Sequence, residues 1–361
     1  MRIALVGPAF PYKGGGARHT MELAHALAGA GHTVTLESWK AQYPSFLYPG
    51  QQTISAPEGT PFPDTRHSLS WRRPDGWLAC GRRLRSCDLV ILAVLSPVQV
   101  PAYLGILRGL GRRTRVVALV HNVLPHERKP YDVPLMRALL KRVDGVLVHS
   151  ADQAALAATL TSRPVLVADM PPHLPDVGSH IPGSQPQEPL RRLLFFGMVR
   201  PYKGLDVLLR ALAASVRDDV RLTVAGEFWG GLDETRALIT SLGLSARVDL
   251  RPGYQPADEM PALFASADAL VLPYRSATAS QNVWVAFEYG LPVIATRVGD
   301  FATQVRDGVD GLLADPDDVS SLASAIDRFY EPGEPGRLSK SVTRVDPAPQ
   351  WAAYLKTLLS R

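Results

Sequence analysis

Two cations in one short loop are the sharpest chemical feature of this sequence. Residues 193–209 read Leu-Leu-Phe-Phe-Gly-Met-Val-Arg-Pro-Tyr-Lys-Gly-Leu-Asp-Val-Leu-Leu. An apolar run ends at Gly197, Arg200 and Lys203 fall in a loop, and a helical pattern begins at Gly204. Open α/β sheets bind ligands beyond the carboxyl ends of their strands. There a guanidinium fork and an ammonium point charge suit a diphosphate. The plainer alternative is two solvated loop cations. Gly14-Gly15-Gly16 also follows a short apolar run and precedes a helix. At Gly15 and Gly16 a phosphate or sugar could reach bare N–H groups at the positive helix end, although such glycines also make simple tight turns. The spacing is not the dinucleotide fingerprint G-x-G-x-x-G. Arg18 and His19 follow in the first turn of that helix.

Two further clusters carry polar chemistry. His121-Asn122 and His126-Glu127 close another apolar run, and two histidines, an asparagine and a glutamate in seven residues point to a polar site. The stretch from Pro273 to Thr296 contains Thr278, Ser280, Gln281 and Asn282 before a helical pattern ending near Gly290. Capping explains one such hydroxyl; an anion at the helix start would use more of them.

The elements that must position these groups alternate twice. Strands are predicted at 2–6, 33–37, 88–93, 115–121 and 145–149, with helices at 17–30, 134–142 and 151–160. After a proline-rich break at 169–189 the alternation restarts. Strands are predicted at 193–196, 221–225, 248–251, 269–272 and 293–295. Helices are predicted at 205–214, 234–242, 256–265, 283–289, 319–329 and 349–359. Short apolar runs alternating with amphipathic helices indicate parallel sheets covered on both faces. The inferred architecture is α/β, with two Rossmann-like doubly wound domains facing across a cleft. Residues 1–172 form the first domain, 173–189 the linker and 190–345 the second domain. Residues 39–75 do not fit the alternation and read as an extended insertion.

Length and composition agree. The chain has 361 residues, 46% hydrophobic and 20% charged, enough for two cores. No apolar run reaches the roughly 18 residues of a membrane span. The opening run is too short for a signal peptide, so the protein is expected in the cytoplasm. Cys80 and Cys87 are too few for a disulfide scaffold. Residues 1–172 carry 20 Lys and Arg against 11 Asp and Glu, and residues 173–361 carry 19 against 23. The basic half contains Arg66, Arg72, Arg73, Arg82, Arg83 and Arg85 with Trp71 and Trp77 among them, and then Arg108, Arg112, Arg113 and Arg115. It reads either as a solvated arginine surface or as a face resting on anionic lipid at the inner side of the membrane. No recognition motif accompanies the charge, so nucleic acid is not expected as a partner.

Several motifs occur in a telling order: Gly197 to Lys203-Gly204, Ala225-Gly226, Gly290-Leu-Pro-Val-Ile-Ala-Thr with Val298-Gly299, and Asp307-Gly308 to Gly311-Leu312-Leu313 and Pro316. Together they resemble the donor-binding domain of glycosyltransferase family 4, retaining nucleotide-sugar-dependent enzymes of the GT-B fold. The resemblance is strong over 190–330 and looser in the first half. It implies an acceptor-side domain completed by the C-terminal helix at 349–361, and a donor-binding second domain. It implies Arg200 and Lys203 on the donor diphosphate and His121 polarising or orienting the sugar. Gly15, Gly16, Gly197, Glu227, Tyr254, Thr278, Ser280 and Gln281 would line the donor. Arg18, His19, Asn122, His126 and Glu127 would lie on the acceptor side. No cofactor is implied beyond the nucleotide sugar, with UDP or GDP as carrier. His126 and Glu127 could ligate a metal, but the family usually works without one.

The chain departs from the family at three positions. Met198 stands where an arginine is commoner. Ala277 and Val285 stand where many members have two glutamates eight positions apart. Glu288 either replaces the lost carboxylate in the donor site or is simply packed. The polar Thr-x-Ser-Gln version of the site resembles a bacterial subgroup. The expected function is sugar transfer from a nucleoside diphosphate to a hydroxyl of a glycan or lipid-linked acceptor. The alternatives are a nucleotide-sugar epimerase of the same fold and a non-catalytic relative.

Overall fold

Period-two alternation within each apolar run decides the layers. In the first run Ile3 and Leu5 enter one core while Ala4 and Val6 enter another. The same split recurs at Leu89 and Ile91 against Val90 and Leu92, and at Val117 and Leu119 against Val116 and Ala118. Strands buried on both faces cannot end in hairpins at water, so helices must cover both sides. A computed structural model describes residues 1–44, 51–125, 127–175, 189–277 and 280–360. It divides into two compact units, Met1–His173 with Pro347–Arg361, and Leu174–Asp346.

The first unit is built from β1 (Arg2–Val6), α1 (Gly15–Gly29), β2 (Thr33–Ala41), β3 (Thr65–Ser70), α2 (Pro74–Arg83), β4 (Leu89–Val94), α3 (Val100–Leu110), β5 (Arg115–Val120), α4 (Asp132–Leu140), β6 (Gly145–Val148), α5 (Ala151–Ala158) and β7 (Val165–Val167). Its seven parallel strands run β3-β2-β1-β4-β5-β6-β7. The second unit contains β8 (Arg192–Phe196), α6 (Leu205–Ala214), β9 (Arg221–Gly226), α7 (Leu232–Ser241), β10 (Val248–Pro252), α8 (Met260–Ala265), β11 (Ala269–Leu272), α9 (Asn282–Glu288), β12 (Val293–Thr296), α10 (Phe301–Gln304), β13 (Gly311–Ala314), α11 (Val319–Phe329) and α12 (Glu334–Ser341). Its six parallel strands run β10-β9-β8-β11-β12-β13. The last helix, α13 (Ala348–Leu359), belongs to the first unit, where Tyr354 and Leu358 are buried against the β1–β5 face. Each order reverses beside its first strand, the topological switch point where doubly wound sheets bind ligands.

Several details differ from the sequence reading. Residues 39–75 are not simply an insertion: β2 runs on to Ala41, and β3 adds an edge strand with shifted register. Only Leu69 of β3 is buried, so an edge strand of this kind carries no apolar run to find. The helix expected at 256–265 is shortened to Met260–Ala265, and α2 and α3 emerge from stretches not read as helical. Their glycines explain both the close packing and the weak signal. A Cβ on Gly81 would lie 2.0 Å from the Ile106 carbonyl, and one on Gly109 would lie 2.3 Å from that of Leu78. His173, assigned to the linker by sequence, is buried in the first unit; residues 176–188 lie outside the described residues.

Some groups of the basic stretch also have structural partners. Arg83 makes a forked pair with buried Glu37 at 3.0 and 2.8 Å, and Arg85 donates to the Gly109 carbonyl at 2.8 Å. Trp77 packs under Gly105 and donates to the Ser70 carbonyl. Arg66, Arg72, Arg73, Arg82, Arg83, Arg85, Arg108, Arg112 and Arg113 are nevertheless all exposed, and only Arg115 is half-buried. No helix among the described residues is long and apolar enough to cross a membrane.

Replacing Gly81 with Val should push α2 off α3 and cost about 1–3 kcal/mol, as overpacking does. Calorimetry should show this as a lower melting midpoint for the first unit, with the second unit unchanged.

Candidate functional site

In the second unit the backbone is drawn tight at the carboxyl ends of β8 and β9. A Cβ on Gly226 would lie 1.8 Å from the Gly197 carbonyl, and Gly197 has φ +101°. Both positions therefore need glycine. This approach lets the two strands stay paired beyond their ends, with the Val199 N–H on the Glu227 carbonyl at 2.8 Å and a bridge from Val199 to Phe228. Arg200 follows directly, its guanidinium 5.0 Å from the Trp229 ring centroid. The Trp229 indole N–H in turn donates to the Glu227 carboxylate at 3.1 Å. Gly253 donates to the Gly226 carbonyl at 3.0 Å, which sets Tyr254 beside the same strand end.

Lys203 enters the switch point between β8 and β11. Its side chain is 9% exposed, and its ammonium lies 5.1 Å from the centroid of buried Tyr274, a cation–π contact. Among the described residues no carboxylate pairs with it. Burial pushes its pKa below the usual lysine range, and the Arg200 charge adds to that against Tyr202. Asn282 crosses the same point, donating to the Phe196 carbonyl at 3.2 Å and to the Tyr274 hydroxyl at 3.3 Å. The Ser280 hydroxyl accepts from the Asn282 N–H at 3.4 Å, with Gln281 between them at the start of α9. Thr278 lies outside the described residues.

The structure favours one of the two readings of Glu288 and shows the surroundings of Val285. Glu288 is a packed carboxylate at the end of α9, paired with Arg344 at 3.7 Å, and burial raises its pKa. Val285 points into the apolar cluster of Phe264, Phe287 and Leu291.

The first unit gathers different chemistry at the matching strand ends. A Cβ on Gly16 would fall 2.5 Å from a Leu95 methyl, so a side chain there would have to displace Leu95. The glycine loop already meets an internal anion: the Gly14 N–H donates to the Glu58 carboxylate at 3.1 Å. Gly15 opens α1 with free space around its Cα. His19, expected on the acceptor side, turns in towards the sheet. It lies on the stripe of α1 facing the sheet, fully buried. Arg18 instead forms an i,i+4 pair with Glu22 at 2.7 Å.

His19 is the middle of a hydrogen-bonded chain. The Glu22 carboxylate, held ionised by His173 and Arg18 against its burial, can only accept, so His173 Nδ1 donates to it. With His173 neutral, its Nε2 accepts from His19 Nδ1 at 3.0 Å, and His19 Nε2 accepts from the Tyr354 hydroxyl at 3.1 Å. Trp351 stacks on His19 with ring centroids 5.5 Å apart. His121 and His149 end β5 and β6 beside this chain, with centroids 5.0 Å apart. His149 Nδ1 donates to the Ala168 carbonyl at 3.2 Å. The Nε2 atoms of His121 and His149 are buried with no hydrogen-bond partner among the described residues. Asn122 follows His121 at the loop start, and Glu127 is exposed; His126 lies outside the described residues. No three His, Cys, Asp or Glu side chains among the described residues converge to hold a metal.

Sequence reasoning misses His149, His173, Glu22 and Tyr354, and in the second unit Tyr274. One signal was available: Leu-Val-His followed by a polar residue occurs at 119–122 and again at 147–150.

Two doubly wound parallel units with ligand groups at their switch points define the GT-B glycosyltransferase class. Residues 13–167 match the sequence profile of Glycosyltransferase Family 4, and residues 191–332 that of Glycosyl transferases group 1. The chain belongs to this family. It is 30% identical over 246 residues to a D-inositol 3-phosphate glycosyltransferase of Catenulispora acidiphila, a match covering 62% of this chain and 58% of that one. It is 37% identical over 155 residues to an enzyme of the same description from a Mycobacterium species, covering 42% of this chain and 34% of the other. Among the first of these curated relatives the chain spans only about a third of their length. The Anabaena HepE protein, solved in complex with UDP-glucose, superposes with a TM-score of 0.71 at 16% identity over 99% of both chains.

The histidine centre makes a pH prediction. Burial first, and then neighbouring imidazoles, push His19 and His121 well below the usual range. Burial takes His149 down to about 4 against the Ala168 hydrogen bond, with the nearby His173 imidazole adding to the lowering. These imidazoles take up protons in the unfolded chain at about pH 6.5 but not in the folded one. Their contribution to stability is therefore complete above about pH 6.5 and lost as pH falls towards the folded values. The midpoint of the first unit should drop over that window, and His149→Gln should flatten the drop. An equally steep profile in the variant would count against this origin.

Proposed function

We propose that the protein transfers a sugar from a nucleoside-diphosphate donor to an acceptor hydroxyl, with retention at the anomeric carbon and without a metal cofactor. One observation carries the reading: a buried lysine ammonium with no carboxylate among the described residues, set beside glycine-lined strand ends at a doubly wound switch point. A buried cation of this kind needs an anion. In the reaction the anomeric C–O bond breaks and the negative charge grows on the leaving diphosphate. Lys203 and Arg200 stabilise that charge most where it is greatest, in the transition state. The acceptor hydroxyl bonds to the anomeric carbon from the face that the diphosphate leaves, and its proton passes to a phosphate oxygen. Gly197, Glu227, Tyr254, Ser280 and Gln281 line the donor in this reading, and His121 orients the sugar. UDP is the first carrier to test, given the HepE complex, and GDP the second.

The acceptor is a glycan or lipid-linked alcohol carrying negative charge. The basic first half supports this, and the matched relatives are named for a phosphorylated polyol. We assign the work to the cytoplasmic face of a membrane, reached through Arg72, Arg82, Arg108, Arg112 and Arg113, which are exposed. An epimerase would need unpaired acid and base carboxylates near the donor. Glu227 is bonded to Trp229 and Glu288 is paired with Arg344, which favours transfer.

Lys203→Ala and Arg200→Ala should each lower kcat by about a hundredfold or more, the scale of one lost oxyanion donor, while EDTA leaves the rate unchanged. Nucleotide release from a panel of UDP- and GDP-sugars measures this. Turnover near that of the wild type in either folded variant would sink the reading. Vesicles containing phosphatidylserine should sediment the protein at low salt and release it at high salt, since the attraction is screened. Sedimentation that ignores lipid charge would remove the membrane contact.

A further inference from the structure

Arg275 lies outside the groups assigned so far. It follows Tyr274 just beyond the end of β11, and its contacts converge on the turn that carries Lys203. Its backbone N–H donates to the Tyr202 carbonyl at 2.7 Å. Its guanidinium donates to the Pro201 carbonyl at 2.8 Å and to both carboxylate oxygens of Asp206 at 2.8 Å. Nε reaches Asp317 at 2.9 Å. Both peptide carbonyls immediately before Lys203, and a side chain three residues after it, are therefore held by one residue. The turn is pinned from the other side as well: Gly204 has φ +65°, and a Cβ there would lie 2.0 Å from the Pro273 carbonyl.

Arg275 has little left to offer a ligand directly, because four of its five guanidinium N–H groups are used on these protein acceptors. A surface ion pair alone would be worth little. This one differs in geometry. The fork on Asp206 is bidentate, and the remaining bonds bridge two separate segments, a pattern that a lysine point charge cannot reproduce. Lys203, for its part, has no ion pair among the described residues to fix its ammonium. Its position rests on the Tyr274 ring and on the backbone of the turn, and Arg275 joins those two.

We infer that Arg275 is a positioning residue that holds the 201–206 turn so that the Lys203 ammonium is presented to the donor diphosphate. The inference rests on the reading of Lys203 as a diphosphate ligand. Binding of UDP and of GDP to the full chain by titration calorimetry tests it in a double-mutant cycle. Lys203→Ala should weaken the nucleotide by about tenfold or more. Arg275→Lys should weaken it by a similar factor, yet add almost nothing once Lys203 is gone, because the two act as one unit. Asp206→Asn removes one arm of the clamp at constant size and should show a smaller loss that also vanishes in the Lys203→Ala background. It serves where Arg275→Lys does not fold. A general loss of structure would lower affinity in both backgrounds. Wild-type affinity in Arg275→Lys, or losses that simply multiply, would overturn the positioning role while leaving Lys203 as a ligand. Wild-type affinity in Lys203→Ala, or no binding of either nucleotide to the wild type, would instead overturn the donor-site reading and the inference with it.

Discussion

The carboxyl ends of β8 and β9 approach so closely that side chains are excluded, and the rest of the second unit's chemistry depends on that approach. A Cβ at Gly226 would overlap the Gly197 carbonyl, 1.8 Å away. Because neither position carries one, the strands extend their pairing through Val199 and Glu227 instead of splaying. Pairing fixes where Arg200 leaves the sheet, and Arg200 then rests on Trp229. The same economy of atoms appears at Gly204, against the Pro273 carbonyl, and at Gly299, where a Cβ would lie 2.4 Å from the Ala277 carbonyl. Side-chain volume is removed at the strand ends, so that main-chain groups and long cations from neighbouring loops can occupy one small region.

The two units use their switch points in opposite ways. In the second, an ammonium is buried beside an aromatic ring with no counter-charge among the described residues, an arrangement that costs free energy until an anion arrives. In the first, the polar groups are largely satisfied from within. Glu58 meets the glycine loop, and Glu22, His173, His19 and Tyr354 form a chain whose proton directions follow from a carboxylate at one end. That chain joins α1 to the segment leaving the first unit and to α13 returning to it. An imidazole held neutral by burial, as His19 is, serves this purpose well, since it offers one donor and one acceptor without carrying a charge into the core. Among these histidines, His121 and His149 each keep a buried ring nitrogen without a partner among the described residues.

How much of this was legible in the sequence followed from how local each cause is. Doubly buried strands announce themselves as apolar runs, so most of both sheets could be read directly, while the short or glycine-led β7 and β13 and the exposed edge strand β3 could not. The Arg200–Lys203 loop could be placed at a strand end for the same reason. Contacts made between distant segments left no local trace. His173 looks like linker because prolines surround it, and only the fold brings it 3.0 Å from His19. Arg275 looks like a loop cation until Asp206 is brought to it. Arg83 and Trp77 look like surface groups until Glu37 and Gly105 pack against them. Glycines hid α2 and α3 because the feature that lets the helices touch also lowers their helical propensity.

The missing glutamates fit this physical picture better than they fit a loss of function. Many relatives have a carboxylate where this chain has Val285, but here the position lies in the apolar cluster under α9, among Val283, Phe287 and Leu291. A carboxylate in that surrounding would be desolvated without a partner and would pay with a raised pKa. The polar work at this end of the sheet is done instead by Asn282, a neutral group bonded to the Phe196 carbonyl and the Tyr274 hydroxyl. Asn282 thereby sits at the same strand end as Lys203 and brings no charge of its own. Under the proposed reading, a diphosphate would meet a Lys203 ammonium that no carboxylate pairs with among the described residues, and sugar hydroxyls would meet the neutral Asn282, Ser280 and Gln281.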